Sequence, residues 1–201
     1  LGRAVQLSFD GAFNLTRIAD PAGRSYSYVY DPKGNLTSVT DPLGRSTQFA
    51  YAGPLNRLVS VTDARGNSTR YAYDTRGNLL STTYADNTVE RLNYDSLGNP
   101  VTFNNRRRDP INYAFDAAAR LTANSYSDGS QVNYTYDSRD NLVTATDARG
   151  TTTLDYDPND RLIRITFPGD RFLEYAYDSA GRRTSMTDQL GYRLDYDYDS
   201  L

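Results

Sequence analysis

An aromatic residue followed by Asp recurs along this chain at a nearly fixed interval, and that period constrains the fold more than any other feature. The pair stands at Phe9-Asp10, Tyr30-Asp31, Tyr73-Asp74, Tyr94-Asp95, Phe115-Asp116, Tyr136-Asp137, Tyr156-Asp157, Tyr177-Asp178 and Tyr198-Asp199. Tyr51-Ala52 fills the gap, so successive aromatics lie 21, 21, 22, 21, 21, 21, 20, 21 and 21 residues apart. A period of this length marks an array in which one supersecondary unit stacks on the next. The reading is a single array over residues 1–201, about nine units of about 21 residues without a linker. The chain opens at Leu1 and stops inside a repeat, as expected of an excerpt from a longer array.

One unit, YDPKGNLTSVTDPLGRSTQFA from Tyr30 to Ala50, carries two turn signals between two runs of strand formers, which gives strand, turn, strand, turn. The first turn opens on Asp with Gly three residues later, as at Asp31/Gly34, Asp74/Gly77, Asp95/Gly98 and Asp178/Gly181. The carboxylate accepts backbone N–H groups and the Gly supplies positive φ. Asp140 and Asp160 at the Gly position tolerate the left-handed region, whereas Ala119 is expected to distort its turn. The second turn reads D-P/A-x-G at Asp20–Gly23, Asp41–Gly44, Asp63–Gly66 and Asp147–Gly150, and Asp188–Gly191 is similar. Asp86-Asn87, Asp128-Gly129 and Gly169-Asp170 are predicted to form tighter, two-residue hairpin loops.

Residues two apart on a strand share a face. The position two before each repeat aromatic is apolar throughout: Leu7, Tyr28, Phe49, Tyr71, Leu92, Tyr113, Tyr134, Leu154, Tyr175 and Tyr196. One face is therefore an aromatic ladder. Leu15, Leu36, Leu58, Leu79, Leu121, Leu142 and Leu162 follow the first turn, often with Val, Ile or Met three residues on, a spacing that predicts a bulge or bend. Nine hairpins are ~18 strands, on the order of 85 Å of sheet at ~4.8 Å per strand. So wide a single layer leaves an apolar face and two edges open, and no helical period offers a covering layer. The fold class is thus all-β, with tandem antiparallel hairpins in a curved or spiralling sheet that forms part of a hollow shell.

Composition removes much chemistry. The sequence holds no Cys and no His, so disulfides, Cys-based metal sites and the commonest general base are absent. A net charge of −3 comes from 23 Asp and two Glu against 21 Arg and one Lys, interspersed without a basic stripe for nucleic acid. No apolar run is long enough for a spanning helix. Asp195, Asp197 and Asp199 alternate along one predicted strand, but they lack the dense oxygen spacing of calcium loops. The Asp155-Tyr156-Asp157 tripeptide falls out of the repeat register. Rings on the aromatic face could stack on sugars, yet their recurrence in every unit favours packing between hairpins. Arg106-Arg107-Arg108 is the one basic run and reads as a solvated loop or a contact for an acidic partner. Neither an enzyme nor a cofactor or metal site is expected.

The stretches YDPKGNLTSVTDPLGR, YDTRGNL, YDSLGN, YDSRDNLVTATDARG, YDPNDRLIRI and YDSAGRRTSMTDQLG closely resemble the YD repeats of the RHS family, found in bacterial polymorphic toxins, Tc-toxin components and teneurins. The resemblance covers essentially the whole chain. It assigns Tyr30, Asp31, Gly34, Tyr73, Asp74, Gly77, Tyr94, Asp95, Gly98, Tyr136, Asp137, Tyr156, Asp157, Tyr177, Asp178 and Gly181 to a structural repeat motif. It implies a long β-strip wound into a hollow cocoon that in toxin members encloses a C-terminal toxic domain until delivery. The implied partners are flanking repeats and that enclosed domain, in a bacterial protein that is secreted or at the cell surface. The aspartyl autoprotease motif of some members has no counterpart here. A second class of function, suggested by adhesion members, is a module that binds glycans or a surface receptor.

Overall fold

The structure is a computed structural model and describes residues 4–199. It is all-β, with no helix among the described residues. The chain divides into two compact units, Leu1–Asn93 with Phe103–Arg108, and Tyr94–Thr102 with Asp109–Leu201. The first contains β1 (Gln6–Phe9), β2 (Leu15–Ala19), β3 (Ser25–Tyr30), β4 (Leu36–Thr40), β5 (Ser46–Ala52), β6 (Arg57–Thr62), β7 (Ser68–Tyr73), β8 (Leu79–Thr83) and most of β9 (Val89–Tyr94). Each strand pairs antiparallel with the next, from β1 through to β9. Strand β10 (Pro100–Asn104) has residues in both units. The second unit holds β11 (Pro110–Phe115), β12 (Leu121–Tyr126), β13 (Gln131–Tyr136), β14 (Leu142–Asp147), β15 (Gly150–Tyr156), β16 (Leu162–Phe167), β17 (Arg171–Tyr177), β18 (Arg183–Asp188) and β19 (Arg193–Asp195). These too pair sequentially and antiparallel.

Each repeat contains two different hairpins. The first, which follows the repeat aromatic, is bulged: Val29 pairs with Ser38 but Tyr30 pairs with Leu36, so Thr37 is the extra residue. Thr37 turns its hydroxyl to the Val29 carbonyl at 3.1 Å. The same shift recurs at Tyr51, Tyr73, Tyr136, Tyr156 and Tyr177. The bulge expected from the three-residue spacing is thus present. Because of it Leu36 and Val39, although three apart, lie opposite Tyr30 and Tyr28 on one face. The second hairpin, β4–β5 and its equivalents, is regular.

The turns depart from expectation in an orderly way. In the bulged hairpin the Asp31 N–H donates to the Asn35 carbonyl at 2.9 Å and the Gly34 N–H to the Asp31 carbonyl at 3.0 Å. That is a three-residue loop closed by a left-handed residue, with Gly34 at φ 83°. Ala119, expected to distort its turn, adopts φ 60° and keeps the same frame, with its N–H 3.0 Å from the Asp116 carbonyl. The bonds to the Asp116 carboxylate and the strands on either side fix this turn, and the Cβ is carried in a strained region.

The second turns share this frame. Asp86-Asn87 and Asp128-Gly129 were expected in two-residue loops, but the Tyr84 N–H reaches the Thr88 carbonyl and the Tyr126 N–H the Ser130 carbonyl, both at 2.9 Å, across three residues. Gly169-Asp170 also belongs to a three-residue connection, since Phe167 pairs with Arg171. The two-residue loop occurs instead at Asp147–Gly150, where Asp147 pairs directly with Gly150. That missing residue makes the interval from Tyr136 to Tyr156 20 rather than 21. Conversely Tyr51 pairs with Leu58, seven residues on, around a four-residue loop Gly53–Asn56, which accounts for the interval of 22.

Within each unit the sheet is a single layer. Its ladder face aligns Tyr28 with Val39, Phe49 with Val61 and Tyr71 with Thr82, and in the second unit Tyr134 with Ala145, Leu154 with Ile165 and Tyr175 with Met186. Apart from Thr82 these rings and branched chains are half-buried, and among the described residues only Ala19, Thr82 and Ser185 are buried. The opposite face is rich in hydroxyls, with Thr40 to Ser46 and Thr62 to Ser68 at 2.7 Å, and Thr135 to Thr144 at 2.6 Å. With no closed core, stability depends on packing between neighbouring strands along one face.

Candidate functional site

The residues of the repeat motif come together at the bulged turns. Tyr30, Tyr73, Tyr94, Tyr136, Tyr156 and Tyr177 each end a strand, Asp31, Asp74, Asp95, Asp137, Asp157 and Asp178 each open a turn, and Gly34, Gly77, Gly98 and Gly181 occupy left-handed positions. Asp178 shows the local logic. Its Oδ1 accepts the N–H groups of Ala180 and Arg182, both at 2.9 Å, and its Oδ2 accepts Arg182 Nε at 2.8 Å. At Asp74, Asp95 and Asp137 an Asn takes the place of the Arg, with Nδ2 on the carboxylate at 2.9, 2.9 and 3.1 Å. The residue after the left-handed position thus plugs the second carboxylate oxygen. Gly77 holds φ 89°, and a Cβ there would stand 2.6 Å from Arg57 Nη2, so a side chain at this position would be strained and would also displace Arg57.

The tyrosine hydroxyl explains why the motif favours Tyr over Phe. Tyr73, Tyr136, Tyr156 and Tyr177 donate to the carbonyls of Leu58, Leu121, Leu142 and Leu162 at 2.8, 2.9, 3.0 and 2.8 Å. Each bond runs from one repeat to the bulged hairpin of the repeat before it. Arginine adds a second link. The guanidinium of Arg120 lies 4.9 Å from the centre of the Tyr136 ring, that of Arg161 5.0 Å from Tyr177, and that of Arg182 4.9 Å from Tyr198. The same groups reach forward, with Arg120 Nη1 3.2 Å from the Asp137 carbonyl and Arg161 Nη1 3.1 Å from that of Asp178. Where the position is Asn, Asn141 Nδ2 instead bonds the Asp160 carboxylate of the next turn at 2.7 Å. Sequence reasoning missed this position. Its sequence signal is the Asn or Arg that follows every left-handed residue of the bulged turns.

These contacts hold the turn carboxylates charged. The Asn35 side-chain amide, then the Asn35 N–H, keep Asp31 below the usual carboxylate range. Arg182 does the same for Asp178 through its side chain first and its N–H second. Such carboxylates are anchors with their oxygens already occupied, which is the opposite of a proton-transfer pair. No group of acidic side chains suited to a metal ion occurs among the described residues. Asp195 ends β19 and accepts Arg193 Nε at 2.7 Å, and Asp197 and Asp199 lie beyond the strand, so the three carboxylates do not share one strand face. Arg106, the first residue of the basic run, is used internally. It pairs with Asp86, bonds Thr88 Oγ1 at 2.7 Å and lies 4.3 Å over the Tyr84 ring.

A family model described as RHS Repeat matches residues 9–46, 30–67, 54–89, 73–106, 115–152 and 156–193. No curated protein sequence matches the chain. Among solved structures, the chain is similar to the crystal structure of TcdB2-TccC3, with a TM-score of 0.59 at 16% identity, over 96% of this chain and 14% of that one. The TcdB2-TccC3-Cdc42 crystal structure gives a TM-score of 0.60 at 16% identity, over 96% and 14%. A Tc holotoxin pore from Photorhabdus luminescens gives 0.59 at 14%, over 96% and 18%. The chain therefore spans less than a fifth of the length of these proteins, and at such identity the likeness concerns the fold. The family matches together take in most of the sequence, their period is that of the bulged hairpins, and the chain belongs to the RHS-repeat family.

Proposed function

We propose that this chain is a wall segment of an RHS-type shell that encloses a toxic or effector domain for delivery, as one array continuous with flanking repeats. Its role is structural, and it carries no chemistry of its own. The observation that supports this most is the bond from the repeat tyrosine to the preceding Leu carbonyl, which spends the motif's polar groups on joining repeat to repeat. A wall needs a sheet that is stiff along its length without a second layer, and this row of contacts supplies it. The enclosed domain and the flanking repeats are the partners in this reading, in a bacterial protein that is secreted or at the cell surface.

The test is protease protection of the longer protein that carries these repeats. The enclosed domain should resist digestion until the shell is opened, while the same domain expressed alone is degraded at once. Equal rates of degradation would remove the encapsulation reading. Glycan-array binding that disappears on changing exposed Tyr26 or Tyr192 would instead favour a surface-binding module.

A further inference from the structure

The two-residue turn at Asp147–Gly150, the only one among the described residues, leaves a notch in the ladder face. Its neighbours along the second unit, the loops Tyr126–Ser130 and Phe167–Arg171, each hold three residues, so the Asp147–Gly150 hairpin stops short between them. A second sequence feature deepens the gap. The ladder row that carries Ile165 and Met186 carries at this point Ala145, the smallest side chain of the row. The result is a recess of about 330 Å³ whose lining combines apolar Val132, Ala145, Phe167 and Pro168 with Asp147, Arg149 and Arg171.

Its charge is unbalanced. Arg149 pairs with Asp147, with Nε and Nη2 3.0 and 2.9 Å from Oδ2, while the Arg149 side chain remains 88% exposed. Arg171 has no ion-pair partner among the described residues. Two guanidinium groups thus share an apolar lining with a single carboxylate. Asp170, beside Arg171, is exposed and does not line the recess.

We propose that this recess binds the C-terminal residue of a peptide, with its apolar side chain against Val132, Ala145 and Phe167 and its α-carboxylate on Arg171 and Arg149. The volume lies at the low end for ligand pockets and fits about one large side chain, so the apolar and anionic groups must belong to one residue. A chain end meets that condition. An acidic side chain next to an apolar one would need a longer groove. Arginine supplies the flat, paired donors that a carboxylate accepts. The inference does not rest on the encapsulation reading.

The test uses the intact protein and a fluorescein-labelled hexapeptide ending in phenylalanine, as the free acid and as the C-terminal amide, with N-acetylphenylalanine as competitor. Anisotropy should show saturable binding of the acid and at least about tenfold weaker binding of the amide. Arg171→Ala should weaken the acid about tenfold and leave the amide unchanged, and Arg171→Lys should fall between. Ala145→Leu, which fills the recess, should abolish binding, with thermal melting confirming that each variant is folded. The proposal fails if acid and amide bind alike, if the acid does not bind, or if folded Arg171→Ala binds as well as the parent. N-acetylphenylalanine, which carries the same ring and α-carboxylate, should compete nearly as strongly as the unlabelled acid peptide, and no competition by it would overturn the assignment of the recess to a single terminal residue.

Discussion

The two turn rows of the array share a backbone but not a sequence rule. At the bulged turns Asp opens the loop in every repeat except that of Tyr51. At the plain turns the same loop frame is opened by Asp20, Asp41, Asp63 and Asp188, but also by Tyr84, Asn105 and Tyr126. What differs is coupling. In the second unit the bulged turns at Asp116, Asp137 and Asp157 send Arg120, Asn141 and Arg161 toward the next turn, and the carbonyls of Leu121, Leu142 and Leu162 that follow these turns accept the next repeat's tyrosine hydroxyl. The plain turns mostly keep to themselves: Arg24 pairs with Asp20 and Arg45 with Asp41, with side chains 75% and 66% exposed. Arg106, which reaches back to Asp86 and Tyr84, and Gln189, whose Oε1 accepts the Phe172 N–H, are the exceptions among the described residues. The bonds between repeats, more than the turn itself, restrict which residues a position accepts.

Acid should act on both rows at once and produce the largest effect. The Asn67 side chain, then its N–H, lower Asp63 in a plain turn, as Asn99 lowers Asp95 in a bulged one. Carboxylates depressed in the folded state contribute stability that is complete above their unfolded value of about 3.9 and is lost as pH falls through the lower folded values. The melting midpoint should be nearly flat between about pH 7 and 5 and fall steadily below about pH 4. A midpoint that rises in acid would contradict the anchored turns.

Next in size is the tyrosine of the coupled row. Tyr177→Ala removes a half-buried ring, its bond to the Leu162 carbonyl and the seat of Arg161. It should cost about 2–4 kcal/mol in chemical denaturation. Tyr177→Phe isolates the hydroxyl at about 1 kcal/mol. Tyr126→Ala, at a plain turn and 37% exposed, should cost about 1 kcal/mol or less. Equal costs for Tyr126→Ala and Tyr177→Ala would erase the distinction between the rows.

How much of this was legible follows the same division. The aromatic period, the alternation and the three-residue step from Leu36 to Val39 located the strands, the ladder and the bulge, because each is a local geometric consequence of side-chain spacing. Turn length was not legible. DARG at Asp63–Gly66 forms a three-residue loop, yet the same four letters at Asp147–Gly150 form a two-residue one. The neighbouring strands fix the register there, so identical local sequences give different loops. Arg161 bonds Asp157 within its own turn, which spacing suggests. It also meets Tyr177 and the Asp178 carbonyl, which only the stacking of repeats reveals.

Arginine tests the coupling with little change in backbone. Arg161→Ala loses the Asp157 pair, the Asp178 carbonyl and the Tyr177 ring, from a side chain 29% exposed. It should cost about 1–2 kcal/mol. Arg24→Ala removes only an exposed pair and should stay within about 0.5 kcal/mol. Arg161→Asn, which substitutes the other natural solution, should recover part of the loss through the Asp157 carboxylate but not the stacking.

The smallest expected change is the one that improves the protein. Ala119 holds φ 60° at a position where the sister turns place Gly at φ 83° or 89°. Its frame is intact, with Asp116 accepting from Ala118 and Arg120 at 2.9 and 3.0 Å, so the strain is confined to one residue. Replacement by Gly removes that strain but adds backbone freedom to the unfolded chain, and the two oppose each other. In the left-handed region relief of strain prevails, and Ala119→Gly should stabilise by about 0.5–1 kcal/mol. Asp140→Gly should gain less, because Asp tolerates φ 69° better and its carboxylate bonds Arg120 Nη1 at 2.7 Å. If instead Ala119→Gly destabilised and Asp140→Gly did not, the turn at Asp116 would owe its shape to the Ala side chain rather than to the coupled row around it.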